Sequence, residues 1–331
     1  MGNSAMRVQS WMRRHRALTC ALVVLGLFAG IIFWRFTTDI SIAHARVARE
    51  SVVLQTRCGP IEYQEAGAGT PLLSVHGSGG GYDQGMAFAR PLTRRGIRVI
   101  AMSRFGYLRT PMPANASAAA QADAHVCLLD ALGIAKVAVL GGSAGAPSAL
   151  DMAIRHPDRT RALILLVPLA YKPPTKAASA PAMPSWVETA MMSVIGSDFL
   201  FWSALHVARN PMIGSVLATP PKIVASASPV EQGRVNAMLD SILPVSARAE
   251  GLRSDTAASK KLTLAALGSV RVPTLVISAR DDRYGTYASA EYTAAHIANA
   301  RFIGFAQGGH TWVGHNDEVM SAIAHLVVLN R

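Results

Sequence analysis

Metal-ligand clusters, internal repeats and charged tracts are missing from this sequence of 331 residues. Charged side chains make up only 16% of the chain. Its ten histidines and three cysteines are scattered, and they do not form the closely spaced sets that bind metal ions. We therefore expect no metal site. The absence of repeats and of long low-complexity tracts predicts one large folded core.

Acidic residues are also few, and the formal net charge is +12. Residues 1–50 carry seven arginines and two acids, and residues 51–331 carry the remaining +7 without a basic run. The stripe of basic and aromatic side chains that is typical of nucleic-acid-binding proteins is missing. We expect no nucleic-acid partner, and the charge is better explained by attraction to anionic lipid headgroups.

One long hydrophobic run is present. It extends from Ala17 to Trp34, 18 residues without a charged side chain, which is long enough to span a bilayer. Four arginines precede the run and three follow it, so the charge bias modestly favours a cytoplasmic N-terminus. We predict a basic tail over residues 1–16, a transmembrane signal-anchor over 17–36 and a linker over 37–50.

This arrangement places the folded domain, residues 51–331, outside the cytoplasm, which is the periplasm in a bacterial cell. A cleaved signal peptide is the alternative, because Ala43-His44-Ala45 resembles a cleavage site, and the product would then be secreted. Either location permits a disulfide between Cys58 and Cys127, but the sequence does not show whether these two cysteines are close.

Short apolar segments alternate with helical patterns after residue 50. Two strands are predicted at Ser51–Arg57 and Ile61–Glu65. Further strands are predicted near Leu72, Val99, Val139, Ile164, Val276 and Ile303, and helices near Phe88, Leu128, Leu150, Ala294 and Ile323. This alternation predicts an α/β fold with a mostly parallel, doubly wound sheet.

The pentapeptide Gly141-Gly142-Ser143-Ala144-Gly145 directly follows the apolar run Val137–Leu140. A serine on a tight strand-to-helix turn needs small residues two positions away on either side, because the two backbones pass close together there. Gly141 and Gly145 meet this need. The pattern predicts Ser143 as a nucleophile on a strained turn.

A serine hydroxyl needs a base near neutral pKa, and the imidazole in turn needs a carboxylate that fixes its tautomer. The predicted strand Thr274–Ser278 leads to Asp281 and Asp282, and the strand Arg301–Phe305 leads to His310. We predict Asp282 as the orienting acid and His310 as the base. Asp281, an acid after an earlier strand, and His315 as the base stay open as alternatives.

A glycine-rich loop, His76 to Gly81, follows the predicted strand Pro71–Val75. Glycines there allow the backbone to approach a substrate closely. We expect one oxyanion donor from the backbone N–H of Ser78 or Gly79 and the other from Ala144. His76 is more simply explained as a brace for this loop than as a catalytic residue.

Together these four motifs resemble the serine α/β-hydrolases, and the resemblance extends from about Val52 to the C-terminus. The segment Ser103–Tyr107 is similar to the Asp-x-x-Gly-Tyr/Phe-Gly-x-Ser loop of the esterase-like branch. It departs from that pattern, because Ser103 and Arg104 begin it and Leu108-Arg109-Thr110 replaces Gly-x-Ser. The resemblance implies an α/β-hydrolase fold that needs no cofactor.

The region from about 171 to 264 interrupts the alternation with apolar residues at helical spacing. In the fold that the resemblance implies, an insertion between strands 6 and 7 forms a helical cap over the nucleophile. Its methionines and aromatic residues either line an acyl pocket or pack the cap on the core. They are Met183, Trp186, Met191, Met192, Phe199, Phe201, Trp202, Met212 and Met238.

The predicted reaction is hydrolysis of a small hydrophobic carboxylic ester through an acyl-enzyme, with the membrane as the partner of the N-terminal helix. The same fold and triad also perform acyl transfer, amide hydrolysis, carbon–carbon bond hydrolysis and cofactor-free perhydrolysis, and the residues do not separate these reactions. A binding module that has lost its activity is a further alternative, although every position that catalysis requires is filled.

Overall fold

The computed structural model describes residues 2–170, 193, 196–259 and 266–330. The chain divides into two compact units, Met1–Ala45 and Arg46–Arg331. The first helix, α1, extends from Gly2 to Arg49. Residues 37–49, which the sequence analysis assigned to a linker, are therefore helical. No glycine or proline occurs between residues 31 and 58 to interrupt the helix.

Within the described part of the chain, one helical stretch is long and apolar enough to cross a membrane. It covers Leu18–Arg49, and an 18-residue window within it has a mean hydropathy of 2.1 and is not buried. Large apolar side chains such as Leu22, Phe28 and Trp34 are about 60% exposed along it. Length and composition suit an anchor or a signal sequence equally.

Eight strands form one sheet in the order β1-β2-β4-β3-β5-β6-β7-β8. The pairs β1–β2 and β2–β4 are antiparallel, and the other pairs are parallel, which confirms the predicted mostly parallel sheet. The strands are β1 Val52–Thr56, β2 Gly59–Ala66, β3 Thr70–Val75, β4 Ile97–Met102, β5 Val137–Gly142, β6 Thr160–Leu166, β7 Thr274–Ala279 and β8 Ala300–Phe305.

Apart from the segment between β6 and β7, four of the described helices lie between parallel strands, and a fifth follows the last strand. They are α2 Tyr82–Ala89, α3 Ala118–Ala131, α4 Ala146–Arg155, α10 Thr286–Ala295 and α11 Asn316–Leu329. The central strands β3, β5, β6 and β7 are almost continuously apolar and buried, as expected of strands with helices on both faces. Parallel pairing brings the carboxyl ends of these strands to one edge, where the predicted site residues follow.

Between β6 and β7 the described residues form five further helices, called here the inserted helices. They are α5 Asp198–Val207, α6 Arg209–Ser215, α7 Pro221–Ser226, α8 Pro229–Asp240 and α9 Ala249–Ser259. Phe201, Trp202 and Met212 are buried among them. Met183, Trp186, Met191 and Met192, which the sequence analysis placed in this region, lie outside the described residues.

Cys58 and Cys127 form a disulfide, with their Cα atoms 6.0 Å apart. The bond joins the turn between β1 and β2 to helix α3, across 69 residues of sequence. Cys20 is a free, exposed cysteine in α1. The pairing that the sequence left open is thus present in the structure.

Candidate active site

Ser143 occupies the turn between β5 and α4, and its φ is +49°. A non-glycine residue in the left-handed region is strained, and such strain is held only where the surrounding structure fixes it. Here the Ser143 carbonyl accepts a hydrogen bond from the N–H of Leu169 at 3.0 Å. Helix α4 begins directly after the turn, with Pro147 in its first turn.

Glycine on either side of Ser143 is required by close packing. A Cβ at Gly145 would lie 2.5 Å from the carbonyl oxygen of His76 and 2.7 Å from that of Val75. At Gly141 it would lie 2.7 Å from the Cβ of Ala149. The small residues are thus needed because strand and helix backbones pass close together, which is the reason given for the sequence pattern.

His310 lies in the loop after β8, and its Nδ1 is 2.8 Å from Oδ2 of Asp282. Asp282 follows β7, and its side chain is fully buried. Because a carboxylate only accepts hydrogen bonds, the proton lies on Nδ1 of His310, and Nε2 is left with a lone pair. That tautomer is the one that a general base requires. The ring of Tyr284 contacts His310 edge-on, with the centroids 5.0 Å apart.

Asp282 is held ionised by its hydrogen bonds. Burial raises its pKa, but the hydrogen bonds from His310, from the Thr286 hydroxyl and from the backbone N–H of Tyr284 outweigh burial, and the net pKa is lowered. The Thr286 hydroxyl also contacts that of Ser278, 3.0 Å away. The carboxylate therefore keeps its charge and its orientation toward His310.

Asp281 and His315, the alternative acid and base from the sequence, make other contacts. Asp281 accepts hydrogen bonds from the backbone N–H groups of Gly308 and Gly309, at 3.3 and 2.8 Å. It thus holds the histidine loop by its backbone. His315 stacks on Phe305, with the ring centroids 3.9 Å apart. In the structure His310 and Asp282 are paired with each other, whereas Asp281 and His315 have other partners.

Hydrogen bonds to side chains hold the glycine-rich loop after β3 at several atoms. The N–H of Gly77 donates to Oε1 of Gln84 at 2.8 Å, and the N–H of Gly79 donates to the Tyr107 hydroxyl at 3.3 Å. The Ser78 hydroxyl donates to Oδ2 of Asp255 at 2.9 Å. The N–H of Gly80 donates to the carbonyl oxygen of Gly77 at 3.3 Å, so the N–H groups of Gly77, Gly79 and Gly80 all have acceptors within the protein.

His76 is fully buried under this loop. Its Nε2 accepts the backbone N–H of Arg104 at 2.9 Å, and its Nδ1 lies 2.7 Å from the carbonyl oxygen of Gly77. Burial lowers the pKa of His76 well below its ordinary value, and the charge of Arg104 lowers it further. The ring is neutral and structural, in agreement with the predicted brace.

A cavity of about 400 Å³ contains both Ser143 and His310 in its wall. Gly77, Ser78 and Ala144 lie in the same wall. Apolar side chains from the sheet side and from the inserted helices form much of the remainder. They include Phe88, Val167, Leu169, Val216, Leu217, Met238, Ile242, Leu252 and Trp312.

Several residues near the site carried no sequence signal. Asp255, Thr256 and Ser259 of α9 line the cavity, although they lie more than 100 positions after Ser143. Only their place in the fold brings them to the nucleophile. Tyr284, next to the catalytic-acid candidate, also lines the cavity.

A cluster of three charged residues, Asp83, Arg46 and Arg248, also supports the glycine-rich loop. Asp83 accepts hydrogen bonds from Arg46 at 2.8 Å and from Arg248 at 2.8 and 3.0 Å. Burial raises the pKa of Asp83, but the two guanidinium groups outweigh it and lower the pKa to about 2. Arg248 also donates to the carbonyl oxygen of Gly80 at 2.6 Å, and Arg46 to that of Leu243 at 2.6 Å.

Over the described parts of the chain, no group of three or more His, Cys, Asp or Glu side chains is placed to hold a metal ion. Ser143 and His310 face the cavity, and the buried carboxylate of Asp282 is paired with His310. A hydroxyl, an imidazole and a carboxylate are the kinds of group that nucleophilic catalysis uses.

The chain is similar to known proteins of one fold family. The model of the alpha/beta hydrolase fold family matches residues 70–313. The 2-hydroxymuconate semialdehyde hydrolase of Pseudomonas putida is 31% identical over 252 residues, which are 74% of this chain and 82% of that protein. An enzyme of the same name from Pseudomonas sp. strain CF600 is 40% identical over 106 residues, only 38% of its own length.

Among solved structures, an alpha/beta hydrolase fold protein from Nakamurella multipartita is similar, with a TM-score of 0.70 and 27% identity. The similarity covers 84% of this chain and 98% of that one. The matched family region includes the strands and loops that carry Ser78, Ser143, Asp282 and His310.

Proposed function

The chain belongs to the alpha/beta hydrolase fold family, and we propose that it is a serine hydrolase of uncharged, hydrophobic carboxylic esters. One observation carries the proposal. Ser143, on a strained turn, and His310, oriented by a buried Asp282, face the same cavity of about 400 Å³. Such a set of groups supplies a nucleophile, a base and an orienting acid.

In the proposed mechanism Ser143 Oγ attacks the ester carbonyl carbon while His310 Nε2 takes the hydroxyl proton. Asp282 stabilises the imidazolium that forms, without taking the proton itself. When the tetrahedral intermediate collapses, the C–O bond to the alcohol breaks and His310 protonates the departing oxygen. The acyl-enzyme is then hydrolysed by water, which His310 deprotonates in the same way.

The oxyanion requires two N–H donors, and we propose those of Ala144 and Ser78. Ala144 follows the nucleophile at the beginning of a helical segment, and both residues line the cavity. The N–H of Gly79 already donates to the Tyr107 hydroxyl, which favours Ser78 over Gly79. Donors fixed before the substrate binds cost no reorganisation during the reaction.

The charges of the cavity favour an uncharged substrate. Among the described residues of its wall there is no arginine or lysine, and Asp255 adds a carboxylate. Burial of an anionic substrate group without a cation would be costly. The inserted helices contribute Met238, Ile242 and Leu252 to the apolar part, and we infer that they act as the cap over the acyl chain.

Carbon–carbon bond hydrolysis is the second candidate. It is favoured by the names of the two relatives, whose substrate, 2-hydroxymuconate semialdehyde, is a carboxylate. The lack of a cation in the described cavity wall argues against it here. Acyl transfer uses the same groups and differs only in the alcohol that replaces water.

We also propose that α1 anchors the protein in a membrane through residues 17–36, with the catalytic domain outside the cytoplasm. The mean hydropathy of 2.1 supports the anchor, and the disulfide Cys58–Cys127 supports an oxidising compartment. Extraction of membranes with alkaline carbonate tests the anchor. A protein released into the supernatant would contradict it.

The full-length protein in detergent micelles tests the ester proposal. Hydrolysis of p-nitrophenyl esters from acetate to laurate is measured for the wild type, for Ser143→Ala and for Ser226→Ala, an exposed serine of α7 that serves as the control. We expect turnover that is lost only in Ser143→Ala. Turnover of 2-hydroxymuconate semialdehyde with a kcat/KM above that of the best ester would instead support the second candidate.

A further inference from the structure

Asp255, on inserted helix α9, binds three side chains that surround the glycine-rich loop. Its Oδ1 accepts a hydrogen bond from Arg104 Nη1 at 2.9 Å. Its Oδ2 accepts from Arg104 Nη2 at 2.5 Å, from the Tyr107 hydroxyl at 2.6 Å and from the Ser78 hydroxyl at 2.9 Å. One carboxylate of an inserted helix thus accepts four hydrogen bonds from residues on the sheet side of the cavity.

Each of these partners is connected to the loop that carries the oxyanion donor. Arg104 donates from Nε to the carbonyl oxygen of His76 at 3.0 Å. The Tyr107 hydroxyl accepts the N–H of Gly79 at 3.3 Å. Ser78 belongs to the loop itself. The carboxylate is therefore linked to the loop at three positions, 76, 78 and 79.

The loop needs such external support because four of its residues are glycine: Gly77, Gly79, Gly80 and Gly81. Glycine backbones have many accessible conformations, and only a few of them point an N–H at the oxyanion. Gly79 has a φ of +70°. Hydrogen bonds to fixed side chains select one conformation.

The ion pair between Arg104 and Asp255 strengthens the support of the loop. Arg104 and Asp255 are almost buried, with side chains 9% and 11% exposed. Burial lowers the pKa of Arg104, but Asp255 outweighs burial and the pKa is raised. Burial, together with the charge of Asp255, raises the pKa of Tyr107 well above its ordinary value, so this hydroxyl stays protonated and donates.

We propose that Asp255 is a positioning residue that holds Ser78 and Gly79 in the conformation that binds the oxyanion. Stabilisation of the transition state then depends on helix α9 being docked against the loop. The proposal rests on the ester hydrolysis proposed above. It also gives a role to Arg104 and Tyr107, the two residues of the segment Ser103–Tyr107 that reach the carboxylate.

The test is Asp255→Asn in the full-length protein with p-nitrophenyl butyrate. The amide has the same size but no charge for Arg104, so the loop loses the restraint that this ion pair provides. We expect kcat to fall roughly 10- to 100-fold with KM changed less than about threefold, since the oxyanion forms only after binding. The inhibition constant of a trifluoromethyl ketone, which forms a tetrahedral adduct, should rise by the same factor as kcat/KM falls.

Asp240→Asn is the matched control. Asp240 also lies on an inserted helix and pairs with an arginine, Arg209, at 2.7 Å, but it is outside the cavity wall. We expect its kcat and inhibition constant to equal those of the wild type. A similar loss of kcat in both variants would mean that the insertion as a whole has been loosened, and it would overturn a specific role of Asp255.

If Asp255→Asn does not fold, the variants Ser78→Ala and Tyr107→Phe test the same proposal. Each removes one hydroxyl and keeps the Arg104–Asp255 ion pair, and each should lower kcat with little change in KM. Unchanged kcat in a folded Asp255→Asn, or in both hydroxyl variants, would overturn the positioning role. Ester hydrolysis itself is judged separately, because it fails only if the wild type shows no turnover that Ser143→Ala abolishes.

Discussion

Asp281 and Asp282 are adjacent, yet they hold two different parts of one loop. Asp282 Oδ2 is 2.8 Å from the Nδ1 of His310, and Asp281 Oδ1 accepts the backbone N–H of Gly309 at 2.8 Å. The ring of His310 is therefore held by one carboxylate, and the backbone of the two glycines just before His310 by the other. The two roles are separable by mutation.

Replacement of Asp282 by asparagine should lower kcat by roughly 10³- to 10⁴-fold. The amide cannot stabilise the imidazolium, and it favours the wrong tautomer of His310. The measurement is kcat for p-nitrophenyl butyrate, with circular dichroism to check the fold.

Asp281→Asn is the control for this prediction, because it changes a neighbouring carboxylate that accepts hydrogen bonds from backbone N–H groups of the loop. We expect a decrease in kcat of about tenfold or less, since one oxygen of the amide can still accept a hydrogen bond. Equal losses in the two variants would contradict the assignment of Asp282.

Gly145→Ala should destabilise the protein and abolish most of its activity. The new methyl group would lie 2.5 Å from the carbonyl oxygen of His76, and the backbone would have to move beside Ser143. We expect a loss of about 1–3 kcal/mol in the free energy of unfolding, measured by urea denaturation.

Gly233→Ala makes the same chemical change in helix α8, where a Cβ meets nothing within 4 Å. It should raise the free energy of unfolding by up to about 1 kcal/mol, because alanine favours a helix over glycine. A Gly145→Ala variant as stable and active as Gly233→Ala would show that the turn is not tightly packed.

Met238→Trp should shift the preferred substrate toward shorter acyl chains. Met238 lines the cavity of about 400 Å³, and a larger side chain reduces the space for the chain. We expect kcat/KM for the laurate ester to fall roughly tenfold relative to acetate. Val230→Trp, an exposed change on the same helix, should leave the chain-length profile unaltered. The same profile in both variants would place the acyl chain elsewhere.

His125 is buried, and burial lowers its pKa to about 3. Between pH 6.5 and pH 3 the unfolded chain therefore binds a proton that the folded protein does not, so stability is complete above pH 6.5 and falls as the solution becomes more acidic. At pH 5 the free energy of unfolding should therefore be lower by about 2 kcal/mol than at pH 7 because of this residue.

The free energy of unfolding at pH 7 minus that at pH 5 should accordingly be about 2 kcal/mol smaller in His125→Gln than in the wild type. The control is His325→Gln at an exposed position of α11, which should keep the wild-type difference. An unchanged difference in His125→Gln would mean that His125 is not the neutral group assigned here.

Local patterns in the sequence predicted the sheet and the neighbourhood of Ser143, because the turn needs glycines at fixed spacing. The sequence favoured Asp282 and left Asp281 as an alternative, since both follow the same strand, and the structure pairs Asp282 with His310. Asp255 could not have been predicted, because its partners lie 148 to 177 positions away and nothing in its own helix marks it. Long-range pairing of single charges leaves no periodic signal.

The end of helix α1 also has a consequence for proteolytic trimming. Arg46 shares Asp83 with Arg248 and binds the carbonyl oxygens of Ser241 and Leu243. A cut after Ala45 would leave this guanidinium as part of the released enzyme. A cut at residue 51, the domain boundary expected from the sequence, would remove it and leave Arg248 as the cation nearest to Asp83. A soluble form of the enzyme should therefore begin no later than Arg46.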